Sequence, residues 1–200
     1  MVALRARLAR DRPWLDVRRN DVNSGHGASV LRGLDAAAGA WILQSDSDGQ
    51  FMMSEVQRLW EQRADADLVL GIRTGRRDPR HRLLLTHAVR WTTSLLAGRS
   101  LRDVNTPFRL LRRETFDELR RVIPDDTLAP NLFVTLAASV GGWRVVEVPV
   151  THLPRERGTS TLRSLRLVRF SARGLRQLLV FRRTLRRDGS AFRHRSSVEP

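Results

Sequence analysis

Apolar residues recur along the chain with two alternating periods. Short runs at Trp14 to Val17, Trp41 to Gln44, Leu68 to Leu70, Phe108 to Leu111 and Trp143 to Val148 have the length and composition of strands. Between them, apolar positions three or four apart predict helices. These run from His26 to Ala38, stopped by Gly39; from Ser54, a capping residue with Glu55 in its first turn, to about Arg63; and from His81 to about Ala97. Two more are expected near Thr115 to Arg121 and near Asn131 to Val140, the latter closed by Gly141-Gly142. Leu4 and Leu8 look like the end of an earlier helix, and Gly71 and Pro149 are expected to end their strands. Such alternation is the mark of βα units around a largely parallel sheet, so the fold class is α/β.

Two segments stand apart. Leu84, Ala88, Trp91 and Leu95 form one stripe on the helix from His81, which suits either a core or a lipid-facing surface. From Ser160 onward Leu162, Leu165, Val168, Leu175 and Leu179 alternate with Arg163, Arg166, Arg169, Arg173 and Arg176, a basic amphipathic helix. The expected organisation is a partial α/β domain over 1–160, this helical segment over 161–187, and a polar, disordered tail over 188–200.

Composition sharpens the picture. The formal net charge is +15, and all 36 basic residues are Arg, a side chain suited to bidentate contact with phosphate and carboxylate. A polyanionic partner follows: nucleic acid, an anionic membrane face or a phosphorylated substrate, although an Arg-biased genome supplies part of the signal. Aromatic residues are not interleaved with the Arg residues, so nucleic acid is not expected. Cysteine is absent, which leaves oxygen or imidazole to hold any metal. His26, His81, His87 and His152 lack metal-ligand spacing, and Trp14, Trp41, Trp91 and Trp143 read as core. No run approaches the roughly 18 apolar residues needed to cross a bilayer, and Arg5, Arg7 and Arg10 break the start where a signal peptide is apolar. A cytoplasmic protein, peripheral on the inner membrane face, is the expectation.

The chemistry centres on Asp46-Ser47-Asp48. Two carboxylates one residue apart, where an apolar strand leaves the sheet, can share a divalent ion with a diphosphate, and Gln50 offers another oxygen. Mg²⁺ or Mn²⁺ there would act as a Lewis acid on a departing phosphate. Solvated turn carboxylates are the alternative reading of the triplet taken alone. Asp65-Ala66-Asp67 has the same spacing but precedes its strand, and reads as structural.

The surroundings decide between these readings. Asn23-Ser24-Gly25-His26-Gly27-Ala28 opens a helix; Gly33-Leu34 and Ala38-Gly39-Ala40 follow; then come Asp46, Asp48 and Gln50. Further on stand Leu70-Gly71-Ile72-Arg73, Asp103-Val104-Asn105-Thr106-Pro107-Phe108-Arg109, Glu147-Val148-Pro149-Val150 and Arg155-Glu156-Arg157-Gly158-Thr159-Ser160. In this order the motifs resemble the family 2 glycosyltransferases, in their dolichol-phosphate mannosyltransferase-like branch. Pro107 stands where Gly is usual and Thr161 where Lys is commoner.

The resemblance implies a GT-A fold, a Rossmann-like sheet with flanking helices that binds a nucleotide-diphosphate sugar. Asp46 would contact the nucleotide sugar together with Asn23, Gly25, Gly27, Asp48 and Arg73, while Asp48, Gln50 and Asp46 would hold Mg²⁺ or Mn²⁺. Arg73, Arg109, Arg155 and Ser160 would meet phosphates of donor or acceptor, and Asp103 would be the base if the acceptor were a saccharide hydroxyl. The branch implies a lipid-phosphate acceptor, polyprenyl phosphate, and an anionic membrane surface as partners; a truncated copy that only binds such a surface is a further reading. The family's opening strand, its Pro-x-x-Asn-Glu loop and its Asp-Asp-x-Ser turn do not occur in these 200 residues, so the domain is expected to be truncated at its N-terminus, with a misassigned start preferred over a defective copy.

Overall fold

A computed structural model of the chain describes residues 12, 14–22, 24–74, 80–153 and 164–187, with the backbone alone for 80–85, 164–171 and 187. The elements are α1 (Gly25–Ala36), β1 (Trp41–Gln44), α2 (Val56–Glu61), β2 (Leu68–Thr74), α3 (Arg80–Ala97), β3 (Arg109–Arg112), α4 (Arg113–Arg120), α5 (Pro130–Gly141), β4 (Val145–Thr151) and α6 (Ser164–Arg187). Single 3₁₀ turns, Met53–Glu55 and Gln62–Ala64, flank α2.

The four strands form one mixed sheet in the order β1-β3-β2-β4. β2 and β4 are parallel, but β3 runs antiparallel to both of its neighbours, so the largely parallel sheet expected from the alternating periods is corrected. After α3 the chain comes back to the end of the sheet where β2 left it, and there the Arg73 side chain in β2 grips Asp103, six residues before β3 begins. The chain therefore enters β3 from the end at which β2 finished.

Two strands run past their expected ends. Gly71 lies inside β2, its N–H donating to the Phe108 carbonyl at 2.8 Å. A Cβ at this position would come within 2.8 Å of that carbonyl and of the Phe108 ring, so the glycine allows close approach of two backbones and ends nothing. Pro149 lies inside β4, which is an edge strand, where a missing N–H is tolerated. Trp14 to Val17, by contrast, form no strand: the Leu15 N–H closes a turn onto the Arg12 carbonyl, and Trp14 is 77% exposed. Without a neighbouring strand to pair with, their composition gives no ladder.

Alternation along β2 sends Leu68 and Leu70 to one face of the sheet and Val69 to the other. The larger core joins Leu31 and Leu34 of α1, Phe116 and Leu119 of α4, Phe133 and Leu136 of α5, and Leu178, Phe181 and Leu185 of α6. The smaller one packs Phe51, Leu59, Phe108 and Val150 over the opposite face. The buried side of α6 thus belongs to the domain core, with Phe181 tilted against Phe133 at 4.9 Å between ring centres. Trp91, expected in the core, is exposed on α3, whereas Trp143 is buried.

Candidate active site at the strand ends

Because β1, β2 and β4 point the same way, Gln44, Thr74 and Thr151 finish at one end of the sheet, and Arg109 opens β3 there. This is the end at which open α/β sheets bind ligands. Asp46 and Asp48 follow β1 immediately; Asp46 is exposed and Asp48 half-buried. The Asp48 Oδ1 accepts the Gln50 N–H at 3.2 Å, and Gly49 between them has φ +75°, a left-handed turn that glycine enters without a Cβ clash.

The segment then crosses the sheet end from one edge to the other. The Gln50 carbonyl accepts the Leu153 N–H at 2.9 Å, its side-chain amide donates to the Leu153 carbonyl at 3.2 Å, and Phe51 bridges to His152. Phe51 stacks on Phe108 at 5.0 Å and meets the His152 ring edge-on. Glu55 completes the fastening, its carboxylate accepting the Thr151 N–H at 2.8 Å and the Thr151 hydroxyl at 3.2 Å. The sequence marks Glu55 only as a favourable first-turn acid; its long-range role depends on the crossing.

Arg73 and Asp103 form a two-pronged ion pair: Nε donates to Oδ2 at 2.6 Å and Nη2 to Oδ1 at 2.8 Å, both groups largely buried. Each Asp103 oxygen is therefore engaged, and a base at this position would first have to break the pair. Arg109 is buried completely. Its Nε and Nη2 donate to the Thr106 carbonyl at 3.0 and 2.6 Å, and Nη1 donates to the Asn131 carbonyl at 3.1 Å and the Thr135 hydroxyl at 3.3 Å. Burial pushes its pKa down to about 9; Asp103 opposes that fall and Arg73 adds to it. In this position the guanidinium ties the 104–108 turn to the start of α5. Sequence spacing could not separate an Arg under a site from one within it.

Gly25 starts α1 with φ +82°. Gly27 is buried, and a Cβ on it would reach within 1.9 Å of the Thr127 carbonyl oxygen. It seats α1 on the loop before α5. Asn23, Arg155 and Ser160 lie outside the described residues. Among the described residues no three His, Asp or Glu side chains converge as a metal cage. A pair of carboxylates is nonetheless a donor set that Mg²⁺ and Mn²⁺ accept, since such ions take one or two carboxylates and fill the remaining positions from substrate and water.

The second triplet occupies the opposite end of the sheet. Asp67 is buried, its Oδ2 accepting the Arg144 N–H at 2.8 Å, with Arg112 and Arg144 guanidinium nitrogens 3.7 and 3.6 Å from Oδ1. It joins β2, β3 and β4 at their far ends, as the structural reading expects. A groove of about 330 Å³ lies away from both triplets, between α6 and the α4–α5 connection, lined by Val122, Thr127, Phe133, Arg176 and Val180.

The mixed sheet flanked by helices, with an acidic turn fastened across its strand ends, defines a GT-A-type α/β fold. A solved structure agrees: glucosyl-3-phosphoglycerate synthase from Mycobacterium tuberculosis, crystallised with Mn²⁺, uridine diphosphate and glucosyl-3-phosphoglycerate, matches 86% of this chain and 58% of its own at TM-score 0.57 and 15% identity. The chain belongs to glycosyl transferase family 2, whose model matches residues 3–123. Polyprenol monophosphomannose synthase of Mycolicibacterium smegmatis is 30% identical over 70% of this chain and 56% of its own length. An undecaprenyl-phosphate 4-deoxy-4-formamido-L-arabinose transferase of Pectobacterium atrosepticum is 28% identical over 73% of this chain and 43% of its own. These relatives are dolichol-phosphate mannosyltransferase-like members of the family, and the chain spans about half the length of each.

Proposed function

We propose that the chain carries the core of an enzyme that moves a sugar from a nucleotide-diphosphate sugar to polyprenyl phosphate, with Mg²⁺ or Mn²⁺, at the cytoplasmic face of the membrane. The observation that supports this best is the Asp46–Gln50 turn, fastened across the strand ends to Leu153 and His152 in a chain whose relatives are named for polyprenol and undecaprenyl phosphate.

In this reading Asp46 and Asp48, with Gln50, hold the ion, which supplies Lewis-acid stabilisation of the departing nucleoside diphosphate. Asn23 and Gly25 meet the donor, and Arg155 and Ser160 meet acceptor phosphate. The Arg73–Asp103 pair acts as a rigid post beside the turn, with Arg109 beneath it holding the 104–108 backbone. A phosphate acceptor is already anionic, so capture and orientation towards the anomeric carbon are the main demands and no base is needed. The engagement of both Asp103 oxygens favours this acceptor over a saccharide hydroxyl.

The test is transfer of radiolabelled sugar from a panel of nucleotide-diphosphate sugars to short-chain polyprenyl phosphate, with and without Mn²⁺. Chelator-sensitive formation of glycosyl polyprenyl phosphate is expected, lost in Asp48→Ala. Transfer that persists in Asp48→Ala, or that accepts only saccharide hydroxyls, would overturn the proposal.

A further inference from the structure

β4 is an edge strand, and the N–H groups at its end alternate in direction. The His152 N–H turns inward and donates to the Thr74 carbonyl of β2 at 3.3 Å. The Thr151 and Leu153 N–H groups therefore turn outward, to the side on which Pro149 has none to offer. Both outward donors are taken by the segment that leaves the Asp46–Asp48 turn: Leu153 by the Gln50 carbonyl at 2.9 Å, and Thr151 by the Glu55 carboxylate at 2.8 Å.

The two tethers differ in kind. Gln50 belongs to the turn itself, since its own N–H donates to the Asp48 Oδ1. Glu55 stands further along, past Met52 and Met53, which are both exposed. Its carboxylate is nonetheless only 13% exposed. Oε2 accepts the Thr151 N–H, while Oε1 accepts the Thr151 hydroxyl at 3.2 Å and the Arg58 Nη1 at 3.2 Å. Withdrawing a carboxylate from water is costly unless its oxygens are met, and an ionised acceptor makes the stronger bond to a backbone N–H. Both oxygens of Glu55 are thus committed to the edge of β4 and to Arg58, which leaves the side chain badly placed to ligate an ion itself.

We infer that Glu55 is a positioning residue for the metal site: without touching ion or substrate, it holds the Asp48–Gln50 turn in its binding shape by fastening the returning arm to Thr151. This rests on the metal-binding reading of the turn given above. Asp48 and Gln50 lie on the connection between β1 and α2, so the places where that connection is fixed set the geometry of their oxygens. β1 fixes its start, the contacts of Gln50 with Leu153 fix its middle, and Glu55 fixes its end. Release of the last tether lets the turn sample other shapes, and a site that is competent for a fraction of the time loses affinity by that fraction. Loss of outer partners that orient metal ligands lowers metal affinity by about ten- to a hundred-fold.

The experiment titrates Mn²⁺ into the full chain with uridine diphosphate and, separately, with guanosine diphosphate. Bound ion is read by electron paramagnetic resonance, and amide hydrogen exchange is followed without metal. Glu55→Ala should weaken Mn²⁺ binding per folded molecule by about ten-fold or more and speed exchange at the Gln50 and Leu153 amides. Glu55→Gln should stay close to the parent, because its amide oxygen can accept the Thr151 N–H and its amide N–H can donate to the Thr151 hydroxyl. Asp67→Ala, weakened at the opposite end of the sheet, controls for general stability and should keep the parent's affinity. Affinity or exchange unchanged in Glu55→Ala would overturn the inference. So would an equal loss in Asp67→Ala, or a Glu55→Gln as weak as Glu55→Ala, which would make the charge itself the ligand. A parent that binds no Mn²⁺ with either diphosphate would overturn the metal reading and the positioning role together. A parent that binds, beside an unchanged Glu55→Ala, would defeat the positioning role alone.

Discussion

Asp46-Ser47-Asp48 and Asp65-Ala66-Asp67 have the same spacing, stand at opposite ends of one sheet, and have opposite settings. The first follows its strand into a turn that carries its carboxylates towards solvent, while the second precedes its strand and sends Asp67 into a nest of backbone N–H and guanidinium groups. Local sequence is nearly silent on this difference. Strand direction decides it, because the end at which parallel strands finish leaves an open crevice and the end at which they start is closed by returning backbone.

The contrast can be broken most sharply by mutation. Asp48→Ala is expected to lower metal-dependent transfer by about a hundred- to a thousand-fold, the cost of losing one well-placed group that stabilises transition-state charge, with little change in melting temperature. Asp67→Ala should do the reverse: about 2 kcal/mol of stability lost in urea denaturation, from an unpaired buried N–H and two unmatched Arg residues, with transfer per folded molecule kept. A folded Asp67→Ala protein without activity would contradict the division of roles.

Arg109 extends the comparison to a residue beneath the site. Replacing it by Met should cost about 3 kcal/mol, since three backbone and hydroxyl acceptors lose their donor in the core. The pH dependence has a defined sign. Folding lowers its pKa from the ordinary guanidinium value to about 9, so between the two the unfolded chain holds more protons, and the burial penalty fades as pH rises through 9. The stability difference between parent and Arg109→Met, measured in urea at pH 8 and pH 10.5, should therefore be larger at the higher pH. An equal or smaller difference would mean that the guanidinium is not desolvated as the structure places it.

Asp65→Ala gives the smallest expected effect, within about 0.5 kcal/mol, because this member of the second triplet is solvent-exposed. A larger loss on thermal melting would show that the second triplet acts as a unit.

Much of this was legible in the sequence, for physical reasons that differ by element. β1, α1 and α5 follow from period and capping to within a few residues, and the placing of Asp46 and Asp48 follows from their position after an apolar strand. The antiparallel course of β3 was not legible, because spacing carries no direction for a strand of four residues. Gly71 and Pro149 look like strand ends in isolation, but each sits where its neighbours make it harmless: one under Phe108, the other on an edge. Arg109 shows the remaining limit. Its motif points towards phosphate, but its charge is spent on carbonyls in the core. The apolar stripe on α3 was legible, while the choice between core and surface waited on which face met α5 and α6.

The central claim is that the turn after β1, and not its twin before β2, grips a metal-bound diphosphate. Electron paramagnetic resonance titration of Mn²⁺ in the presence of a nucleoside diphosphate tests it directly, comparing the parent with Asp48→Asn and Asp67→Asn. The account predicts that Asp67→Asn retains bound Mn²⁺ in proportion to its folded fraction and that Asp48→Asn loses it; full binding by Asp48→Asn would contradict it.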